Sequence, residues 1–141
     1  MNWNDSVHAL GIDEMDRTHQ EFTELVNRLI EASDAEFVAR FGKLLDHCRQ
    51  HFNNEGRLMR LSRFPALNEH EGEHNRVYGD LVRLHRAVLR GRLVLPRAFV
   101  NQGLEDWFAL HLSSMDAALA AHLKRVGVVR VMTGGGPSMP M

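Results

Sequence analysis

Four stretches of this 141-residue chain repeat an apolar residue every three or four positions, and each of them sets histidine or a carboxylate inside its own apolar stripe. The first runs through Met15, His19, Phe22, Val26 and Leu29, and the second through Phe37, Phe41, Leu44, Cys48, His51, Glu55 and Leu58. The third reads Leu67, His70, His74, Val77, Leu81, Leu84 and Val88, and the fourth Val100, Leu104, Trp107, His111 and Ala118, with Asp116 close by. A three-then-four repeat is the period of an amphipathic helix, and its apolar face must be buried. Four such faces buried together bring their polar residues into one interior.

A carboxylate such as Glu55 is expensive in a low-dielectric interior, where an isolated charge costs several kcal/mol. A multivalent cation removes that cost, and imidazole nitrogen with carboxylate oxygen is the donor set that borderline transition metals take. His51 with Glu55 and His70 with His74 are four residues apart, so each pair lies nearly one above the other on a helix and can reach one ion. Spacing alone is weak, since nine histidines in this chain give about 0.6 His-x-x-x-His pairs by chance. His47 with His51 is a second such pair, but His47 lies at the margin of its stripe and is the weaker candidate. The candidate metal ligands are His19, His51, Glu55, His70, His74, His111 and Asp116. His111 and Asp116 are five apart, which on a regular helix turns them about 140° away from each other. Either Asp116 reaches in from the edge of the seam, or a local π-type widening turns it inward.

The breaks between stripes give an all-α fold, an antiparallel up-down-up-down four-helix bundle with an irregular N-terminal arm and a loose C-terminal tail. The arm covers residues 1–12, and Asp13 with Asp16 is expected to cap a first helix reaching residue 32. Ser33 and Asp34 restart the chain, and a second helix spans 35–61, ending before Phe64-Pro65. The third spans 66–90 with Gly91 as terminator, and the fourth runs from Pro96 to about residue 125, with Gly127 past its end. One domain is expected over 1–132. Val128, Val129, Val131 and Met132 are expected to pack back on it, and residues 133–141, with Gly134-Gly135-Gly136-Pro137, to form a disordered tail.

Seventeen basic against eighteen acidic residues leave no field to attract nucleic acid. No apolar run is long enough to span a membrane. The amino terminus lacks the pattern of a secretion signal and Cys48 has no partner for a disulfide, so a cytoplasmic location is expected.

These motifs resemble the hemerythrins, specifically the single-domain bacterial kind, from Trp3 to Asp116. Trp3, Gly11-Ile12, Asp16 and His19 are similar to the family's opening arm and first ligand; His51-Phe52, Glu55 and Met59 to its second motif; His70-x-x-x-His74 and Trp107-x-x-x-His111-x-x-x-x-Asp116 to the last two. The resemblance implies two iron ions. One would take His70, His74 and His111 and the other His19 and His51, with Glu55, Asp116 and a solvent-derived oxygen bridging both. It implies reversible binding of dioxygen at the five-coordinate iron, for carriage, storage or delivery. The alternatives are a sensor or scavenger of dioxygen or nitric oxide, and a di-iron peroxidase or oxidase. An enzyme is not expected, because catalysis on a bound peroxide needs a spare acid or base beside the site.

Two positions depart from the family pattern. Gly56 stands where the family commonly has a second acid and weakens the helix there by up to ~1 kcal/mol. Phe108 stands where the family usually has leucine lining the oxygen pocket, and its ring either narrows access or simply fills core volume. Cys48 is expected to be an inert core residue, Trp107 to pack in the core, and Met59 to line the cavity. His8, His85 and His122 receive no role.

Overall fold

The apolar stripes become helices whose buried faces match them residue for residue. The structure, a computed structural model, describes residues 1–127. The expected back-packing of 128–132 and the expected tail over 133–141 lie outside the described residues. After a short helix α1, Asp5–His8, come three long helices: α2 Asp13–Glu31, α3 Asp34–Leu61 and α4 Leu67–Leu89. The fourth is composite, a continuous helical run made of α5 Val94–Ala98, a π segment Phe99–Gly103, α6 Leu104–His111, a second π segment Leu112–Asp116, and α7 Ala117–Val126. Helix α3 packs on α2 and α4, and the composite helix closes the bundle by packing on α4 and α2. Among the described residues, no helix is long and apolar enough to cross a membrane.

The local signals act largely as expected, with two corrections. Ser33 caps α3 through a reciprocal box, its hydroxyl accepting from Glu36 N while Ser33 N donates to the Glu36 carboxylate at 3.0 Å. Gly127 closes α7 in the left-handed region at φ 81°. The arm, however, is not wholly irregular, since Asn4 caps the single turn of α1. Nor does an acidic side chain cap α2, whose N-cap is Ile12. Asp16 instead accepts from the backbone of Leu10 and Gly11 at 2.7 and 3.2 Å, so its carboxylate ties the arm down.

Gly56 faces a neighbouring side chain. A Cβ there would stand 2.6 Å from Glu71 Oε2, which reaches over from α4 to pair with Arg60 at 3.0 Å. That carboxylate is the far end of a flexible, partly exposed side chain and can swing aside, so the contact alone does not require glycine.

The core is divided in two. One apolar cluster contains Phe22, Val26, Phe37, Phe41, Leu44, Leu81, Leu104 and Phe108, and the other Ile12, Met15, Leu58, Met59, Phe64 and Leu119. On every long helix the polar residues fall between a member of one cluster and a member of the other, so they form a layer across the bundle. The capping box should matter to the helix that supplies His51 and Glu55. Ser33→Ala is expected to cost about 1 kcal/mol, read as a fall in Tm of about 3–5 °C, and an unchanged melting curve would remove Ser33 from the account.

Candidate metal centre

Each long helix delivers its polar residues to one point between the two apolar clusters. His19 comes from α2, His51 and Glu55 from α3, His70 and His74 from α4, and His111 and Asp116 from the composite helix. All seven are at most 8% exposed. The five imidazoles all turn Nε2 toward the two carboxylates, and each carboxylate divides its oxygens between two sets of histidines. Glu55 Oε1 lies 3.2 Å from His70 Nε2 and 3.4 Å from His74 Nε2, while Oε2 lies 2.6 Å from His51 Nε2 and 3.8 Å from His19 Nε2. Asp116 Oδ1 lies 3.1 Å from His70 and 3.2 Å from His111, and Oδ2 lies 3.1 Å from His19. Two donor groups result, one of Glu55, His70, His74, His111 and Asp116 and one of His19, His51 and Glu55, each with its ligand atoms within 4.8 Å of one another.

The second π segment resolves the geometry of Asp116. A π turn takes up one more residue than an α turn, so the five steps from His111 to Asp116 do the work of the usual four. Asp116 is thereby fully buried, its carboxylate among the imidazoles rather than on the far side of the helix.

Protein hydrogen bonding does not satisfy this layer. His51 Nε2 pairs with Glu55 Oε2, and His74 Nε2 faces His111 Nε2 at 3.1 Å, an arrangement that brings two acceptors together unless one nitrogen carries a proton. His19 Nε2, His70 Nε2, Glu55 Oε1 and both Asp116 oxygens are buried without a hydrogen-bond partner, close to opposite charge but not aligned with it. Unpartnered lone pairs on nitrogen and oxygen, converging in two groups with shared carboxylates, fit a pair of cations.

Charge is redistributed accordingly. Burial lowers the His19 imidazole, but the Asp116 and Glu55 carboxylates more than reverse this and raise it to about 9. His70 behaves alike and also reaches about 9. Burial raises the Glu55 carboxyl, yet His51, His19 and His70 hold it well below the usual carboxylate range. Asp116 is likewise held low by His111, His19 and His70, against burial and the charge of Glu55. His74 is pulled down to about 3, chiefly by burial.

An aromatic collar fixes the imidazoles. Phe52 stacks on His74 at 4.0 Å and 9°, Trp107 stacks on His111 at 4.6 Å and 16°, and Phe108 meets His19 edge-on at 5.6 Å. Trp107 Nε1 donates to Glu73 Oε2 at 3.0 Å, and Arg76 holds the same carboxylate. Trp107 thus does more than pack. Glu73 and Phe52 carry no sequence signal of this role, because one lies on the half-exposed flank of α4 and the other beside rather than on the α3 stripe.

His47, half-buried, joins neither donor group. Cys48 is buried, and desolvation pushes its thiol up to about 12, which leaves it inert. His122 donates from Nε2 to the Ser62 carbonyl at 2.8 Å and His85 stacks on Phe41 at 5.7 Å, so both belong to the framework.

Comparison with known proteins follows the same lines. The family model described as hemerythrin HHE cation binding domain matches residues 10–123. A bacteriohemerythrin of Ralstonia nicotianae is 32% identical over 127 residues, covering 90% of this chain and 91% of that protein. A crystal structure of wild-type hemerythrin superposes with a TM-score of 0.80 at 20% identity, covering 87% of this chain and 97% of that one. A leucine-to-alanine mutant of hemerythrin gives the same TM-score and identity, with 87% and 96% coverage. At that identity the structural likeness speaks for the fold.

The raised imidazoles set a pH dependence for the metal-free chain. His19 and His70 keep their protons when folded and lose them near 6.5 when unfolded, so their contribution is full below about 6.5 and is lost as pH rises through about 9. Protein stripped with a chelator should therefore lose on the order of a few kcal/mol between pH 6.5 and 9, seen as a falling urea midpoint. A flat midpoint over that range would contradict the carboxylate–imidazolium pairing.

Proposed function

The chain belongs to the hemerythrin family, a family of metal-binding, oxygen-binding helical proteins, and from that premise we propose that it binds dioxygen reversibly at a centre of two iron ions. The observation that carries this reading is the division of the Glu55 and Asp116 oxygens between two sets of imidazoles. His70, His74 and His111 would hold one ion, His19 and His51 the other, and Glu55 and Asp116 would bridge them. Two ferrous ions held together supply an open coordination position and two readily donated electrons, the chemistry that lets dioxygen bind and leave again. Three histidines on one side and two on the other would leave the second ion one protein ligand fewer.

The residues around this centre suit reversible holding. A cavity of about 10 Å³, room for about one water-sized molecule, lies against His51, His111 and Asp116 and is walled by Phe22, Cys48, Phe52, Trp107 and Phe108. Its walls are apolar apart from the proposed ligands and Cys48, whose raised thiol is no proton donor at neutral pH. These walls place no spare acid or base beside the proposed ligands and keep water away from them, which favours carriage, storage or delivery over turnover. Phe108 seals the cavity, touching His19 on one side and Phe22, at 4.7 Å, on the other.

Charge-transfer absorption that appears when the ferrous protein meets air and disappears under vacuum, through repeated cycles, is the expected signature. Prompt irreversible oxidation with peroxide turnover would instead make the protein an enzyme. Glu55→Ala should abolish stable loading of two irons per chain while His47→Ala retains it, and two irons in the first variant would remove Glu55 from the bridge. Phe108→Leu, which opens the cavity, should speed dioxygen association and release several-fold and hasten irreversible oxidation, measured by flow spectrophotometry. Unchanged rates would make Phe108 core filler only.

A further inference from the structure

The polar layer borders two hollows of different chemistry. One is the apolar cavity beneath Phe108. The other is a notch of about 50 Å³ between α2 and α3, with half-buried Glu14 and Thr18 and exposed Asn54 and Arg57 at its rim, buried Met15 and Leu58 in its walls, and His51 and Glu55 at its floor. His51 is 8% exposed against 0–4% for the other four imidazoles, so it stands nearest to solvent. Glu55 at the notch floor is 3% exposed, and its Oε1 is buried without a hydrogen-bond partner.

A hydrated divalent cation cannot cross an apolar wall cheaply, because its shell must be shed with nothing to replace it. Carboxylate, amide and hydroxyl oxygens replace that shell stepwise, and the notch supplies all three. At its rim Glu14 is matched by one cation, Arg57, and Glu55 on its floor is shared with imidazoles, so the notch receives a cation through its oxygen ligands rather than through net charge. The cavity on the Phe108 side offers the reverse, a small pocket with mostly apolar walls that suits a neutral diatomic gas and gives a hydrated ion nothing in place of its shell.

We infer that the notch between α2 and α3 is the port through which divalent metal ions reach and leave the cage, with His51 and Glu55 as the first groups to capture them. The inference rests on reading the seven residues as a two-metal cage. The port opens on the group of His19, His51 and Glu55, so an ion bound for His70, His74 and His111 passes it first. Glu55 lies on that path, with Oε2 facing the outer group and Oε1 the inner one. The port is thus distinct from the cavity beneath Phe108.

The test uses intact ferrous holoprotein under anaerobic conditions, with iron withdrawn into excess coloured ferrous chelator and then restored with ferrous ion alone. Asn54→Phe, at an exposed position where the fold is undisturbed, places a ring over the notch. It should slow withdrawal and reloading about tenfold, keep two irons per chain and leave the dioxygen association rate unchanged. Arg57→Glu should speed reloading several-fold at low ionic strength and lose that gain near about 0.5 M salt, where charges are screened within a few ångströms. Wild-type iron rates in both variants, or equal slowing of iron and dioxygen, would overturn the port while leaving the cage intact. Wild-type protein that takes fewer than two irons would bring down the cage and the port together.

Discussion

Two carboxylates shared among five imidazoles, buried in a layer between two apolar clusters, are the constraint on which the rest of the structure turns. A buried polar group without a partner costs about 1–3 kcal/mol, and a handful of them equals the whole stability of a domain, about 5–15 kcal/mol. The unpartnered atoms of His19, Glu55, His70 and Asp116 are such a handful. The apolar clusters on either side hold the helices in place, and the layer strains against them. Partial charging of His19 and His70 by the carboxylates relieves the strain in the chain alone. On the proposed reading two cations relieve it fully, so binding metal and completing the fold are one process.

How much of this was written in the sequence depends on whether the signal was periodic. His19, His51, Glu55, His70, His74 and His111 lie on stripes that repeat every three or four residues, and the helices formed with those faces inward to within a residue or two at most ends. The capping box at Ser33 and the left-handed Gly127 are local signals with local causes. Asp116 is different, because its inward aim depends on a π turn whose only sequence trace is the five-residue interval itself. Asp16 misled as a cap because its carboxylate bonds backward to the arm, a contact that depends on where residues 10 and 11 lie in space. Glu73 and Phe52 gave no warning, since their partners Trp107 and His74 are on other helices.

The π segment also explains how the fourth helix serves two masters. Leu104, Phe108 and Leu112 pack in one apolar cluster and Leu119, Ala120 and Leu123 in the other, and the polar pair must fall between them. With uniform α geometry, facing His111 inward leaves Asp116 about 140° away. The extra residue absorbed at Leu112–Asp116 brings the carboxylate in and lets α7 resume with its apolar face still on the core. A single local widening satisfies the cage without sacrificing either cluster.

A site of this kind faces a conflict between sealing and filling. Holding dioxygen without losing it as peroxide, as proposed, would call for dry walls, and Phe22, Phe52, Trp107 and Phe108 supply apolar ones on one side. Admitting a hydrated dication calls for polar groups and water, which dry walls refuse. On the proposed reading, placing the two needs at different hollows of the same layer removes the conflict. In α3, residues one position apart around the stripe look different ways, so Cys48 and Phe52 line the dry side while Asn54 and Glu55 line the wet one. His51 lies on both linings, which makes it the point where a metal arriving from one face would meet a gas arriving from the other.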